Sequence, residues 1–216
     1  MSHERTAFTN RITAGQALAR KLVSYHNQPG LLVLALPRGG VPVAAEVAKA
    51  LNAELEVIPV RKLGVPGNSE LAMGAIALGG QHVFNQEIIE YLHLTRPILQ
   101  AAIDRETKEL TRRNEIYRQG RPMPDLANRT VILVDDGLAT GATMKAAIAA
   151  VRAGNAARIV VAVPVGAEET CQSLAQDVNE LVCLLKPEPF YGVGFGYKDF
   201  SQLTDQQVLD CLPDQS

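Results

Sequence analysis

The stretch Val131-Ile132-Leu133-Val134-Asp135-Asp136-Gly137-Leu138-Ala139-Thr140-Gly141-Ala142-Thr143-Met144 holds the residues best suited to chemistry. An apolar run of strand length ends in two adjacent carboxylates. A turn of small residues follows, and a helix begins at the Thr140-Gly141-Ala142-Thr143 corner. Successive backbone amides where a turn opens a helix form an anion site suited to a phosphate monoester. Gly137 and Gly141 let the backbone approach such a group closely, and the Thr140 and Thr143 hydroxyls add donors. Asp135 and Asp136 stand at the carboxyl end of a strand, where α/β folds place ligands. Two carboxylates beside a phosphate cradle repel the anion itself, so they suit hydroxyl groups, a metal ion or a developing cation. An isolated Asp-Asp usually does no more than open a loop or cap a helix. The strand before this pair and the Thr-Gly-x-Thr after it favour the chemical reading.

The elements that position this segment follow from apolar patterning. Leu31 to Leu36 is a continuous apolar run, as in a parallel strand covered on both faces. Pro37-Arg38-Gly39-Gly40 breaks it, and a helix starts near Pro42 with Val43, Val47 and Leu51 facing inward. Leu55 to Val60 reads as a second buried strand and completes a βαβ unit. The same grammar returns: strands over Thr130–Val134, Arg158–Val165 and Leu181–Leu185, and helices over Gly141–Ala153 and Glu168–Asp177. Strands alternating with helices predict an α/β protein with a parallel sheet flanked by helices. Upstream, Phe8, Ile12, Leu18 and Leu22 space out one helical stripe. Between the halves, Ala72–Leu78 and His82–Asn85 form a hairpin around Gly79-Gly80, and Gln86–His93 and Pro97–Gln119 are helical. The tail is rich in glycine and aromatics and ends in a helix opened by the capping box Thr204-Asp205-Gln206-Gln207.

The bulk numbers set limits. With 216 residues the chain buries roughly 70% of its unfolded surface and needs no staples. A formal net charge of −2 argues against non-specific nucleic-acid binding, which relies on basic surface. Cys171, Cys183 and Cys211 fit neither a disulfide framework nor a zinc site, and read as thiols in a reducing compartment. The polar Met1-Ser2-His3-Glu4-Arg5 start carries no signal-peptide core, and no apolar run approaches a membrane span. The expected location is cytoplasmic, with neither a nucleic-acid nor a membrane partner.

The segment around Asp135 and Asp136 resembles the ribose-phosphate signature of the type I phosphoribosyltransferases, in wording nearest to the adenine enzymes. The resemblance implies that the two aspartates meet the ribose 2- and 3-hydroxyls while Ala139–Thr143 hold the 5-phosphate. Hypoxanthine-type members carry an aspartate where this chain has Ala139, which speaks against a hypoxanthine-type mechanism. Arg38, Gly39 and Gly40 resemble the family's pyrophosphate loop. Arg61-Lys62-Leu63-Gly64 resembles the basic segment before the mobile lid, which implies that Arg61 and Lys62 meet the pyrophosphate as its charge develops. Glu70 falls where a lid carboxylate assists the acceptor. Phe190 to Phe200 is similar to the base-stacking tail, with Tyr191 as the aromatic and Asp199 one position away from the family's aspartate. The likeness spans Leu31–Leu185 apart from residues 81–128, and is nearest to bacterial phosphoribosyltransferase-like proteins of unassigned acceptor.

What the resemblance implies is a single phosphoribosyltransferase domain over 1–216. Its core covers 30–63 and 129–186, and a small hood is built from 1–29, 64–128 and 187–216. It also implies a magnesium-dependent glycosyltransferase, active as a homodimer, moving ribose 5-phosphate from phosphoribosyl pyrophosphate to a small-molecule acceptor, a nucleobase-like heterocycle. Mg²⁺ would arrive with the ligand, with Asp135 and Asp136 as the carboxylates nearest to it. A different class of reading is a non-catalytic regulator that binds the same ligand. A phosphatase or lyase using the Asp pair is a third; it needs carboxylates that reach the phosphate, which here sits beyond the turn.

Overall fold

Apolar runs without a two-residue alternation make strands that need cover on both faces, and the computed structural model, which describes residues 8–213, places them at the centre. Strands β1 (Leu31–Ala35) and β6 (Thr130–Val134) are buried at every residue. They lie side by side with β2 (Glu54–Val57), β7 (Arg158–Val165) and β8 (Glu180–Leu185) in one sheet of order β2-β1-β6-β7-β8. Every pairing in it is parallel. Leu32, Leu34, Val131, Leu133, Val161 and Val163 project to one face, where Met144, Ala147, Ile148 and Val151 of helix α5 (Ala142–Ala153) meet them. Leu31, Val33, Ile132, Val134 and Val160 project to the other, against helices α1 (Arg11–Lys21) and α2 (Gly40–Leu51). Each Leu or Val closed off this way contributes about 1.5–3 kcal/mol.

The second βαβ strand departs from its expected form. Leu55–Val60 is not one strand: β2 stops at Val57, and β3 (Val60–Val65) begins a separate antiparallel sheet with β4 (Asn68–Ala77) and β5 (His82–Phe84). Pro59 explains the break, because it offers no N–H to a ladder; its carbonyl accepts from Leu78 instead. The hairpin around Gly79-Gly80 forms as expected, with Ile76 opposite His82 and Gly74 opposite Phe84. Both helices read between the halves form too, as α3 (Gln86–Tyr91) and the long α4 (Arg96–Arg118). One face of the small sheet packs Leu63, Met73 and Ile76 on Ala102 and Leu110 of α4. Ala75 and Ala77 on the other face join the core cluster that contains α5. The small sheet therefore stands directly over α5, the helix that opens after the Ala139–Gly141 turn.

The N-terminal helix is shorter than its apolar stripe. Asn10 and Thr13 form a capping box that starts α1 at Arg11, and Ile12 is exposed while Leu18 and Leu22 are buried. Helix α6 (Glu168–Ala175) follows β7, and the tail closes with α7 (Asp205–Leu209), opened by the expected Thr204–Gln207 capping box. Val208 of α7 packs into the α1–α2 core. Residues 187–200 run back over the strand ends, tied to the N-terminal segment by Phe8 N–H to the Gly196 carbonyl at 2.8 Å and Lys198 N–H to the Phe8 carbonyl at 2.8 Å. Among the described residues, no helix is long and apolar enough to cross a membrane.

Candidate functional site

The turn after β6 is pinned from the β7 side. Leu138 N–H donates to the Val165 carbonyl at 2.8 Å, and Ala167 N–H donates to the Leu138 carbonyl at 2.9 Å. The Thr170 hydroxyl of α6 donates to the Ala139 carbonyl at 2.6 Å. These contacts bury Leu138 and leave Ala139 and Thr140 exposed. Gly141 then caps α5 with φ +73°. Among the described residues, none of the amides of Ala139–Thr143 donates to a protein acceptor. Five consecutive N–H groups at the positive end of a helix form a cradle for a dianion.

The two glycines of the turn work differently from the sequence reading. A Cβ on Gly141 would lie 2.8 Å from Thr170 Cγ2 and 3.2 Å from Leu174 Cδ1, so its missing side chain makes room for α6 rather than for the anion. Its positive φ is the second requirement. A Cβ on Gly137 would lie 2.4 Å from Val193 Cγ1, so that glycine admits the tail. Removing the Thr170 hydroxyl tests how far α6 holds the cradle. Thr170→Val is expected to weaken ribose 5-phosphate binding about 3- to 10-fold by calorimetry, the size of one neutral hydrogen bond. Undiminished affinity would mean the turn keeps its shape alone.

Asp135 and Asp136 lie at the strand end beside the loop after β1. A Cβ on Gly39 would fall 1.9 Å from Asp136 Oδ2, and one on Gly40 would fall 2.8 Å from Asp135 Cα. Only glycines let the 38–40 loop lie this close to the carboxylates. The peptide between Pro37 and Arg38 is cis. Burial, then the neighbouring Asp136 charge, push the Asp135 carboxyl well above its ordinary range. Burial raises Asp136 as well, opposed by the Arg11 guanidinium, whose Nε donates to Oδ2 at 2.8 Å. Asp136 N–H donates to Asp135 Oδ1 at 2.8 Å, and the Tyr197 hydroxyl donates to the Asp136 carbonyl at 2.6 Å.

The basic residues part company. Arg61 and Lys62 sit inside β3, not at the end of a core strand. Arg61 pairs with Ile76 on the α4 face, and its Nε donates to Glu106 of α4 at 2.9 Å. Lys62 pairs with Ala75 on the opposite face, the one that joins the α5 cluster. Of the two, Lys62 lies on the α5 side of the sheet. Arg38 lies 3.9 Å from Asp205 of α7, which Arg112 of α4 also approaches at 3.7 Å. A cleft of about 490 Å³ opens between Thr140, Ala142 and Lys145 on one wall and Phe84 and Asn85 on the other.

The phosphoribosyl transferase domain family matches residues 6–199 of the chain. The chain belongs to that family. Two relatives from Mycobacterium tuberculosis (strains H37Rv and CDC 1551) that carry phosphoribosyl transferase in their names are 45% identical over 205 residues. The match covers 95% of this chain and 46% of theirs, so the chain spans about half the length of these relatives. The crystal structure of TT1426 from Thermus thermophilus superposes with a TM-score of 0.80 at 42% identity, covering 95% of this chain and 97% of that one. A hypoxanthine-guanine phosphoribosyltransferase from Bacillus anthracis superposes with a TM-score of 0.50 at 12% identity, over 92% of this chain and 91% of its own, which shows a shared fold.

Within that family fold the remaining expected residues are spread out. Tyr191 stands exposed in the tail, with its ring 5.6 Å from that of Phe195, an aromatic the sequence reading did not single out. Val193 between them lies against Gly137, which sets the pair beside the turn after β6. Asp199 is exposed and accepts from Ser201 N–H at 3.1 Å, a local turn. The side chain of Glu70 lies outside the described residues. Among the described residues no group of three or more His, Cys, Asp or Glu side chains converges as a metal cluster. The sequence reading missed Arg11, Thr170 and Tyr197, whose contacts cross 125, 31 and 61 positions of chain.

Proposed function

We propose that the chain transfers ribose 5-phosphate from phosphoribosyl pyrophosphate to a nitrogen nucleophile of a small heterocycle. The observation that carries this reading is the run of unengaged amides over Ala139–Thr143 next to a half-buried aspartate pair. A dianionic 5-phosphate fits the amides, and vicinal hydroxyls fit the carboxylates. Anchoring the phosphate away from the reacting bond lets binding energy place C1 for in-line attack. As the C1–O bond breaks, its electron pair leaves with the pyrophosphate and positive charge grows on the ribose ring. The aspartates stabilise that charge, and the 38–40 loop with Lys62 receives the leaving group.

The residues also fit a divalent cation. Among the described residues the carboxylate pair has one ion-pair partner, Arg11 on Asp136, and burial raises both carboxyls, so added positive charge suits them. Asp135 and Asp136 would be the protein carboxylates nearest to a Mg²⁺ carried by the ligand, which would supply positive charge toward the leaving pyrophosphate.

One observation favours a second reading, a binding protein that regulates a partner. Arg61 is engaged by Glu106 and Arg38 lies toward Asp205, so both arginines expected at the pyrophosphate are drawn elsewhere. Lys62→Ala separates the readings. For a transferase it is expected to cut acceptor-dependent pyrophosphate release by about 10- to 100-fold while changing donor affinity by less than about 5-fold, because a charge developing at cleavage feels a cation more than ground-state ligand does. The assay is pyrophosphate release with Mg²⁺ across a panel of purines, pyrimidines and related heterocycles. Tight donor binding with no acceptor-dependent release from the unaltered protein would support the regulator.

A further inference from the structure

Asp136 is held from two directions by parts of the chain remote from its own motif. Arg11, the first residue of α1, donates through Nε to Asp136 Oδ2 at 2.8 Å and through Nη1 to the Ser201 carbonyl at 2.9 Å. Its guanidinium carbon lies 4.1 Å from the centre of the Phe200 ring. Phe200 stacks in turn on Tyr197, at 5.0 Å between centroids, and the Tyr197 hydroxyl grips the Asp136 carbonyl. The ion pair is shielded: the Arg11 side chain is 11% exposed and that of Asp136 15%. Exposed pairs contribute little because water competes for both ends, and shielded, hydrogen-bonded ones escape that loss.

We infer that Arg11 is a positioning residue of the ribose subsite, holding Asp136 in the one orientation that meets the ribose hydroxyls and coupling α1 and the tail to occupancy of that subsite. The inference rests on the proposed role of Asp136 toward ribose. Two features carry it. Arg11 reaches Asp136 through Oδ2, the oxygen lodged at Gly39, so it fixes the carboxylate from the protein side. The planar guanidinium is itself fixed by Phe200 and Ser201, so little freedom remains in the pair.

The experiment titrates Arg11→Met, Arg11→Lys and Asp136→Asn, each confirmed folded by circular dichroism, with three probes in the presence of Mg²⁺: phosphoribosyl pyrophosphate, ribose 5-phosphate and inorganic pyrophosphate. Arg11→Met is expected to weaken both ribose-containing probes about 10-fold or more and to leave inorganic pyrophosphate within about 2-fold. Arg11→Lys keeps the charge without the fork or the stacking and is expected to restore part of the loss. If Arg11→Met does not fold, Arg11→Lys carries the test through the same split between ribose and pyrophosphate probes. Equal loss for all three probes would mean that Arg11 only supports the fold. Tighter ribose 5-phosphate binding would mean that it obstructs the subsite. Unchanged ribose 5-phosphate binding in Arg11→Met, with a loss in Asp136→Asn, would overturn the role of Arg11 alone. No loss in Asp136→Asn would overturn the ribose role of Asp136 and this inference with it.

Discussion

Gly141→Val is expected to weaken ribose 5-phosphate and phosphoribosyl pyrophosphate together, about 30- to 100-fold, with inorganic pyrophosphate binding unchanged. The residue sits at φ +73°, where a β-branched side chain costs about 1–3 kcal/mol. Its Cβ would also meet Thr170 and Leu174, the residues that position α6 against the turn. The variant relieves both strains by abandoning the turn, which misaligns the five amides. Calorimetry with the three ligands measures this. Loss confined to phosphoribosyl pyrophosphate would put the 5-phosphate elsewhere.

Asp135→Asn is expected to gain stability while losing ligand. The amide keeps the Oδ1 acceptor for Asp136 N–H and removes a carboxyl that burial and Asp136 push upward. For a carboxyl raised in the folded state, the folded protein binds more protons, so stability is greatest below the unfolded value and declines as pH rises through the folded one. The variant should therefore match the unaltered protein in acid and exceed it increasingly above pH 3.8, the ordinary carboxyl value. A gain of about 1 kcal/mol at neutral pH is typical for relieving a functional strain. Phosphoribosyl pyrophosphate affinity should fall about 10- to 100-fold, the range for a hydrogen bond to a charged group. Denaturant melts from pH 4 to 8 and calorimetry test the two halves. A pH-independent stability difference would contradict the burial argument.

What the sequence made legible was what is local. Thr130–Val134 and Arg158–Val165 have the limits read from it, because each is an apolar run stopped by charge or glycine. The strand, Asp-Asp, turn and helix are contiguous, so their order already implied their geometry. Val60 onward was not legible in the same way: Pro59 moves the chain to another sheet, and only there does strand alternation send Arg61 to α4 and Lys62 to the α5 face. The direction of a missing Cβ at Gly141 depends on α6, which arrives more than 25 residues later. Arg11 looked like an ordinary first-turn residue, since its partner lies across the whole core.

The most direct test of the central claim is calorimetric titration of the unaltered protein with phosphoribosyl pyrophosphate, with and without Mg²⁺, repeated on the Asp135→Asn, Asp136→Asn double variant. The expected result is saturable, Mg²⁺-dependent binding at one site per chain, weakened at least about 100-fold in the folded double variant. Binding of equal strength in both proteins would contradict the claim that the aspartate pair and the Ala139–Thr143 turn form the phosphoribosyl site, as would the absence of any binding to the unaltered protein.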